Sequence, residues 1–237
     1  RVPELLGILL AAWLAGLAAV VGGLLARLEG TAETELKREW VHGVVAFGGG
    51  VLLAAIAFAL APQAVAVLSP WVLALTFVAG AFIFAALDAW LSRQGGSRAQ
   101  LMAMLTDFVP EALSMGAVFG YDPRLGMLLA GFIALQNLPE GFNAYRESVA
   151  AGSSPRHTLL ALFAFSLLGP LAAWVGFAGL QERPELTAGI MSLAAGGILY
   201  LVFQDIAPQA RMRRHRLPAL GAVLGFLVGM LGKQALG

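Results

Sequence analysis

Long apolar stretches follow one another along this chain with little between them, and each is about the length of a membrane-crossing helix. Read between polar or Gly/Pro breaks, they run about 4–27, 41–67, 71–92, 99–120, 124–148, 156–180, 186–209 and 217–235. Roughly 20 apolar residues in a helix cross the hydrocarbon core. Of the 237 residues, 59% are hydrophobic and 12% charged, whereas a soluble domain carries about 25% charged residues. Mean hydropathy is +0.81. The expected fold is an all-α membrane protein of eight transmembrane helices, one domain over residues 1–237, multi-pass in a cell (inner or plasma) membrane. The first run, residues 5–25, lacks a small-residue cleavage pattern before a polar start, so it reads as a helix rather than a signal peptide.

A net charge of +1 argues against nucleic acid as a partner. With no cysteine there is neither a disulfide framework nor a thiolate metal site. The partners implied are the lipid bilayer and a small cation, and a homodimer is left open. Basic residues are unevenly placed. Loops after the first, third, fifth and seventh runs hold Arg27, Lys37, Arg38, Arg93, Arg98, Arg146, Arg156, Arg211, Arg213, Arg214 and Arg216, against Arg1, Arg124, Arg183 and Lys233 on the other side. The excess puts the odd-numbered loops in the cytoplasm and both termini outside. The basic cluster at residues 211–216 suits anionic headgroups, and the charged linker 29–39 is long enough to be mobile.

Two apolar runs are interrupted by acids. Asp107-Phe108-Val109-Pro110-Glu111-Ala112 and Gln136-Asn137-Leu138-Pro139-Glu140-Gly141 place carboxylates and a proline near the centres of the fourth and fifth runs. An ionisable group at bilayer depth costs several kcal/mol, so it faces a bundle interior and marks an ion or substrate path. Asp107 and Glu111 are four apart, as are Gln136 and Glu140, so each pair shares one helical face. Asn137, Ser114 and Asn143 extend the polar character of these faces. Each proline frees a carbonyl, of Thr106 and of Leu135, because it lacks an N–H. Oxygen donors of this kind suit hard or borderline divalent cations. For Asn137 and Ser114 the alternative is polar glue between helices. For three carboxylates glue fails: no Lys or Arg lies within a span core to neutralise them, so without a cation some must carry protons.

The two motifs also align with each other. A second alignment joins Gly50 to Gly196, Leu53 to Leu199, and Ala61-Pro62-Gln63-Ala64 to Ala207-Pro208-Gln209-Ala210. In alternating spans the paired runs point in opposite directions. Inverted repeats, here in a 3+2+3 arrangement, mark transporters with a site near the midplane.

These features resemble the ZIP (Zrt-, Irt-like protein) family of divalent-metal transporters. Gln136-Asn137-Leu138-Pro139-Glu140-Gly141 carries the likeness most specifically. Phe47-Gly48-Gly49-Gly50-Val51, Ser166 with Pro170, and Tyr200 with Gln204-Asp205-Ile206-Ala207-Pro208-Gln209 support it over residues 47–212. The resemblance implies metal movement toward the cytosol through a binuclear centre formed mainly by the fourth and fifth spans. Two departures fall on the same one of those two metal places. The family's His-Asn-x-Pro-Glu-Gly reads Asp107, Phe108, Pro110, Glu111 and Ala112 here, and Gly169 precedes Pro170 where a glutamate is usual. The expectation is therefore one bound ion, held by Asp107, Glu111, Gln136 and Glu140, with Asn137 a weaker candidate orphaned from the lost place.

His42, His157 and His215 fall near span ends, so the site has no imidazole. Zinc, manganese, iron or cobalt thus stay open as the ion, which is cargo rather than a resident cofactor. The resemblance also places exit-path ligands near Gln204, Asp205 and Gln209, weakened where glutamine replaces an acid. Asp88 reads as an interfacial residue pairing with Arg93. The leading function is import of a divalent metal. A non-transporting metal binder or sensor is the alternative, and an intramembrane hydrolase is disfavoured because no nucleophile–base pair accompanies the acids.

Overall fold

A computed structural model describes residues 2–30, 34–212 and 215–236. Arg1, Arg213, Arg214 and residues 31–33 of the linker lie outside the described residues, so the basic cluster at 211–216 is seen only in part. Among the described residues there is no strand. The rods are α1 (Val2–Glu29), α2 (Glu35–Val67), α3 (Pro70–Gln94), α4 (Gly96–Phe119), α5 (Pro123–Ala150), α6 (Pro155–Leu180), α7 (Pro184–Ala210) and α8 (Leu217–Leu236). Prolines open α3, α5, α6 and α7, where the missing N–H would have had no partner anyway. Thr34, Asp122 and Ser154 cap α2, α5 and α6 by accepting from Lys37, Leu125 and His157.

Seven of these helices are long and apolar enough to cross a membrane. The exception is α5, whose C-terminal half is crowded by Gln136, Asn137, Glu140, Asn143, Arg146 and Glu147. Large apolar side chains face outward on α3 (Trp71, Leu75, Phe82) and α8 (Leu220, Val223, Leu224), an arrangement that hydrocarbon, not water, would cover.

Packing divides the helices into groups. α1, α4, α5 and α6 form one bundle, α2 lies along α8, and α3 lies along α7. Glycines set the spacing inside each group. At Gly141 a Cβ would strike the Ala19 carbonyl, and at Gly22 it would strike that of Leu138, so α1 and α5 touch backbone to backbone. Gly50 lies likewise against Ala222, and Gly80 against Leu193. The bundle meets the other helices where α5 touches α2 and α4 touches α7. There Gly48 faces only the side chain of Pro139.

α2 and α7 share one irregularity. Each widens to a π-helix, at Ile56–Leu60 and at Val202–Ile206, immediately before Ala-Pro-Gln-Ala. A proline in a helix removes a donor and crowds the carbonyl four residues earlier, and a wider turn relieves both. The device stands at the two places that the sequence aligns. The linker expected to be mobile is instead held at its described ends. Glu29 pairs with Arg146 at 2.9 Å and with Lys37 at 3.8 Å, and Lys37 Nζ donates to the Gly30 carbonyl at 2.6 Å.

Candidate metal site

α4 and α5 pack face to face, and the faces in contact carry the interrupted motifs. Asp107 is 4% exposed and Glu111 1%, while Gln136 and Asn137 are fully buried; Glu140 is partly exposed. Gln136 Nε2 donates to Glu111 Oε2 at 2.5 Å. The carboxyls of Asp107 and Glu140 lie within hydrogen-bonding reach of each other, and Asp107 Oδ1 accepts from the Phe108 N–H at 2.9 Å. A hydrogen bond between two carboxyl groups needs a proton on one of them. The structure thus brings Asp107, Glu111, Gln136 and Glu140 together.

Several acceptors in this patch have no partner. Gln136 Oε1, Glu140 Oε2 and Asn137 Oδ1 are buried without a hydrogen bond, as is Ser114 Oγ. Each unpaired buried acceptor costs about 1–3 kcal/mol. No cation relieves them from the protein side: the ion pairs among the described residues use Glu29, Glu35 and Glu39. As they stand, the described residues contain no group of three His, Cys, Asp or Glu arranged to hold a metal ion. The Gln136 amide group faces Glu111 with its nitrogen, a donor, so an ion entering here would need that amide turned.

Asn137 is placed differently. Its Nδ2 donates to the Ala15 carbonyl of α1 at 3.0 Å. Phe108, one residue after Asp107, drives its ring between α1 and α6. It stacks on Phe165 at 4.4 Å between centroids, and its Cζ would lie 2.8 Å from a Cβ at Gly169 and 3.2 Å from one at Gly16. The two glycines make room for the ring, which is 1% exposed.

Below the carboxylates, α5 continues as a polar stripe. Gln136, Glu140, Asn143 and Glu147 are spaced by four, three and four residues and so lie on one face. The last three are partly exposed, while Gly141, Ala144 and Tyr145 between them, and Ser148 just after, are buried. Asn143 Nδ2 donates to Glu147 Oε1 at 2.9 Å and to Gln209 Oε1 of α7 at 3.4 Å. His42 Nδ1 bonds the Gln209 carbonyl. Asp205, on the π-turn of α7, lies within hydrogen-bonding reach of Asp88 on α3 and within electrostatic reach of Glu147. Gln204 turns the other way, into a groove with Phe77, Leu199 and Phe203.

Two of these residues escape sequence reasoning. Glu147 continues a periodicity that is legible at Gln136, Glu140 and Asn143. Asp88 is a correction: among the described residues it makes no ion pair with Arg93, and it accepts from Tyr200 Oη of α7 at 3.3 Å. The pairing of α3 with α7 supplies that partner, which no local pattern shows. The other histidines lie at helix ends. His157 meets Ser154 at its own N-cap, and His215 stands between Glu35 and Glu39 at 3.2 and 3.3 Å.

Known proteins resemble this chain. Zinc transporter ZIPB of Bordetella bronchiseptica is 28% identical over 140 residues, covering 58% of this chain and 45% of that protein. Zinc transporter ZupT of Chlorobium phaeovibrioides is 25% identical over an alignment of 261 residues, covering 93% of this chain and 94% of that protein. The chain thus spans less than half the length of the first and nearly all of the second. The family model described as ZIP zinc transporter matches residues 93–232, more than half the chain and all of the α4–α5 patch. This multi-pass membrane protein therefore belongs to the ZIP family, whose members are transporters and not enzymes.

Proposed function

We propose that the chain moves a divalent metal ion across the membrane into the cytoplasm, through a single site made by Asp107, Glu111, Gln136 and Glu140. One observation carries the reading: buried acceptor oxygens of Gln136 and Glu140 stand unpaired beside two further carboxylates, with no basic side chain among the described residues to satisfy them. A cation supplies what they lack. Its arrival turns the Gln136 amide, draws in Glu111 and displaces the proton shared by Asp107 and Glu140. The relatives' names support a divalent metal, zinc among them. An all-oxygen donor set extends the choice to manganese, iron and cobalt. Phe108 fills the place between Gly16 and Gly169 and supports one ion rather than two. Asn137, bonded to α1, then positions that helix and is at most an outlying ligand.

The ion leaves along the stripe of Glu140, Asn143 and Glu147 toward Asp205, Asp88 and Gln209, with Gln204 at the margin. All eight rods span the membrane in this reading, with both termini outside and the paired π-turns of α2 and α7 related by the inverted repeat. Backbone-to-backbone contacts make α1, α4, α5 and α6 one body, and side-chain contacts to α2, α7 and their neighbours allow it to rock around the site.

Uptake into proteoliposomes carrying an internal metal dye tests this. Wild-type flux that is lost in both Glu111→Ala and Glu140→Ala supports the site; unchanged flux in both overturns it. The amide that closes on Glu111 favours a second reading, a metal binder that does not transport. Binding without flux in the same vesicles would establish it.

A further inference from the structure

One end of the molecule holds a cavity of about 390 Å³ between α2, the start of α5 and the end of α8. Phe58, Gln63, Asp122, Arg124, Lys233 and Leu236 line it. It lies apart from the α4–α5 carboxylates, at the end that the charge asymmetry assigns to the outside.

Its charge is unbalanced. Arg124 and Lys233 bring two cations, and neither enters an ion pair among the described residues. Arg124 occupies the first turn of α5, where the helix dipole disfavours positive charge. The helix's own needs do not explain it. Among the described residues the only acid in the lining is Asp122, and its Oδ1 already accepts from the Leu125 N–H at 3.0 Å. Gln63 Nε2 is already engaged, donating to Tyr121 Oη at 3.3 Å. Among the described lining residues, two basic side chains face one acid, which leaves the cavity with a net positive charge. The rest is apolar: Phe58, held against Phe226 at 5.3 Å between centroids, and Leu236.

We propose that this cavity binds a phosphate-bearing anion. The Arg124 guanidinium offers a fork of N–H donors that fits two phosphate oxygens, and Lys233 adds a point charge from the facing helix. The phosphate can be that of an anionic lipid headgroup, with its glycerol end against Phe58 and Leu236, or free inorganic phosphate. The inference is independent of the metal reading.

The test uses the purified protein, the double variant Arg124→Gln/Lys233→Gln, its two single variants, and Arg183→Gln as a control that removes one basic side chain outside the cavity. Native mass spectrometry reads adducts of phosphatidylglycerol against phosphatidylcholine, and thermal unfolding reads stabilisation by inorganic phosphate. A several-fold preference for phosphatidylglycerol in the wild type and the control, lost in the double variant, supports the lipid source. A rise in Tm with inorganic phosphate that the double variant lacks supports the free anion. The proposal is overturned if the double variant matches the wild type in both assays, or if Arg183→Gln lowers both signals as much. Both substituted side chains are exposed, and equal Tm values in phosphate-free buffer show that the variants fold.

Discussion

Gln136 turns its amide nitrogen toward Glu111, 2.5 Å from Oε2, and leaves its own Oε1 without a partner. A single bond thus both satisfies a buried carboxylate and strands an acceptor beside it. Replacing Gln136 by leucine removes the donor and the acceptor at once. Stability without metal should change little, because the cost of about 1–3 kcal/mol for leaving Glu111 unpaired is offset by removal of the stranded Gln136 Oε1. Metal affinity should drop by at least the roughly 10–100-fold typical of losing an outer-shell partner, since Gln136 is a direct ligand in this account. Thermal unfolding of the metal-free variant and calorimetric titration with metal check the two effects separately.

Gln136→His tests the account of ion choice. With only oxygen donors, the wild type should discriminate weakly between zinc and manganese; an imidazole in the same place favours zinc. The ratio of zinc to manganese uptake should rise in the variant. An unchanged ratio would remove Gln136 from the ligand set.

Phe108 predicts a packing effect. Its ring fills the space left by Gly16 and Gly169 and stacks on Phe165. Phe108→Ala should destabilise by about 3–5 kcal/mol through the cavity it leaves. The number of ions bound per chain should not increase, since Gly169 adds no ligand. Unfolding and metal content are the readouts.

The α1–α5 contact makes a sharper contrast. Gly141→Ala drives a methyl into the Ala19 carbonyl, whereas at Gly131 of the same helix nothing lies within 4 Å of an added Cβ. Overpacking of this kind costs about 1–3 kcal/mol. Gly141→Ala should lower Tm, while Gly131→Ala should leave it unchanged or raise it. Equal effects would mean that α1 and α5 are not in backbone contact.

These predictions separate what was legible in the sequence from what was not. The all-helical, membrane-embedded character follows from the apolar runs, since the residues that cross hydrocarbon must be apolar whatever they pack against. The Pro-Glu motifs were legible for the opposite reason: Asp107, Glu111 and Glu140 violate that rule. α5 shows how the two signals conflict, for the polar stripe that forms the candidate site is what makes it too polar to qualify as a span on apolarity. For Asp88 sequence proximity misleads: Arg93 is its neighbour along the chain, whereas Tyr200 and Asp205 approach only when α3 lies along α7. Glu147 continues the periodicity of Gln136, Glu140 and Asn143, but lies beyond the Pro-Glu motif that marks the site in the sequence. The π-turns were not legible at all. Ala-Pro-Gln-Ala marks where a helix is disturbed, but the widened turn before it depends on the packing that holds the helix together on either side.

The most direct measurement is the metal content of purified protein after equilibrium with zinc or manganese, compared with that of Glu111→Gln/Glu140→Gln. Both changes keep side-chain shape and remove charge. One ion per chain in the wild type and none in the double variant, with both folded by thermal unfolding, is the predicted result. Equal metal content in the two proteins would contradict the claim that these carboxylates hold the ion.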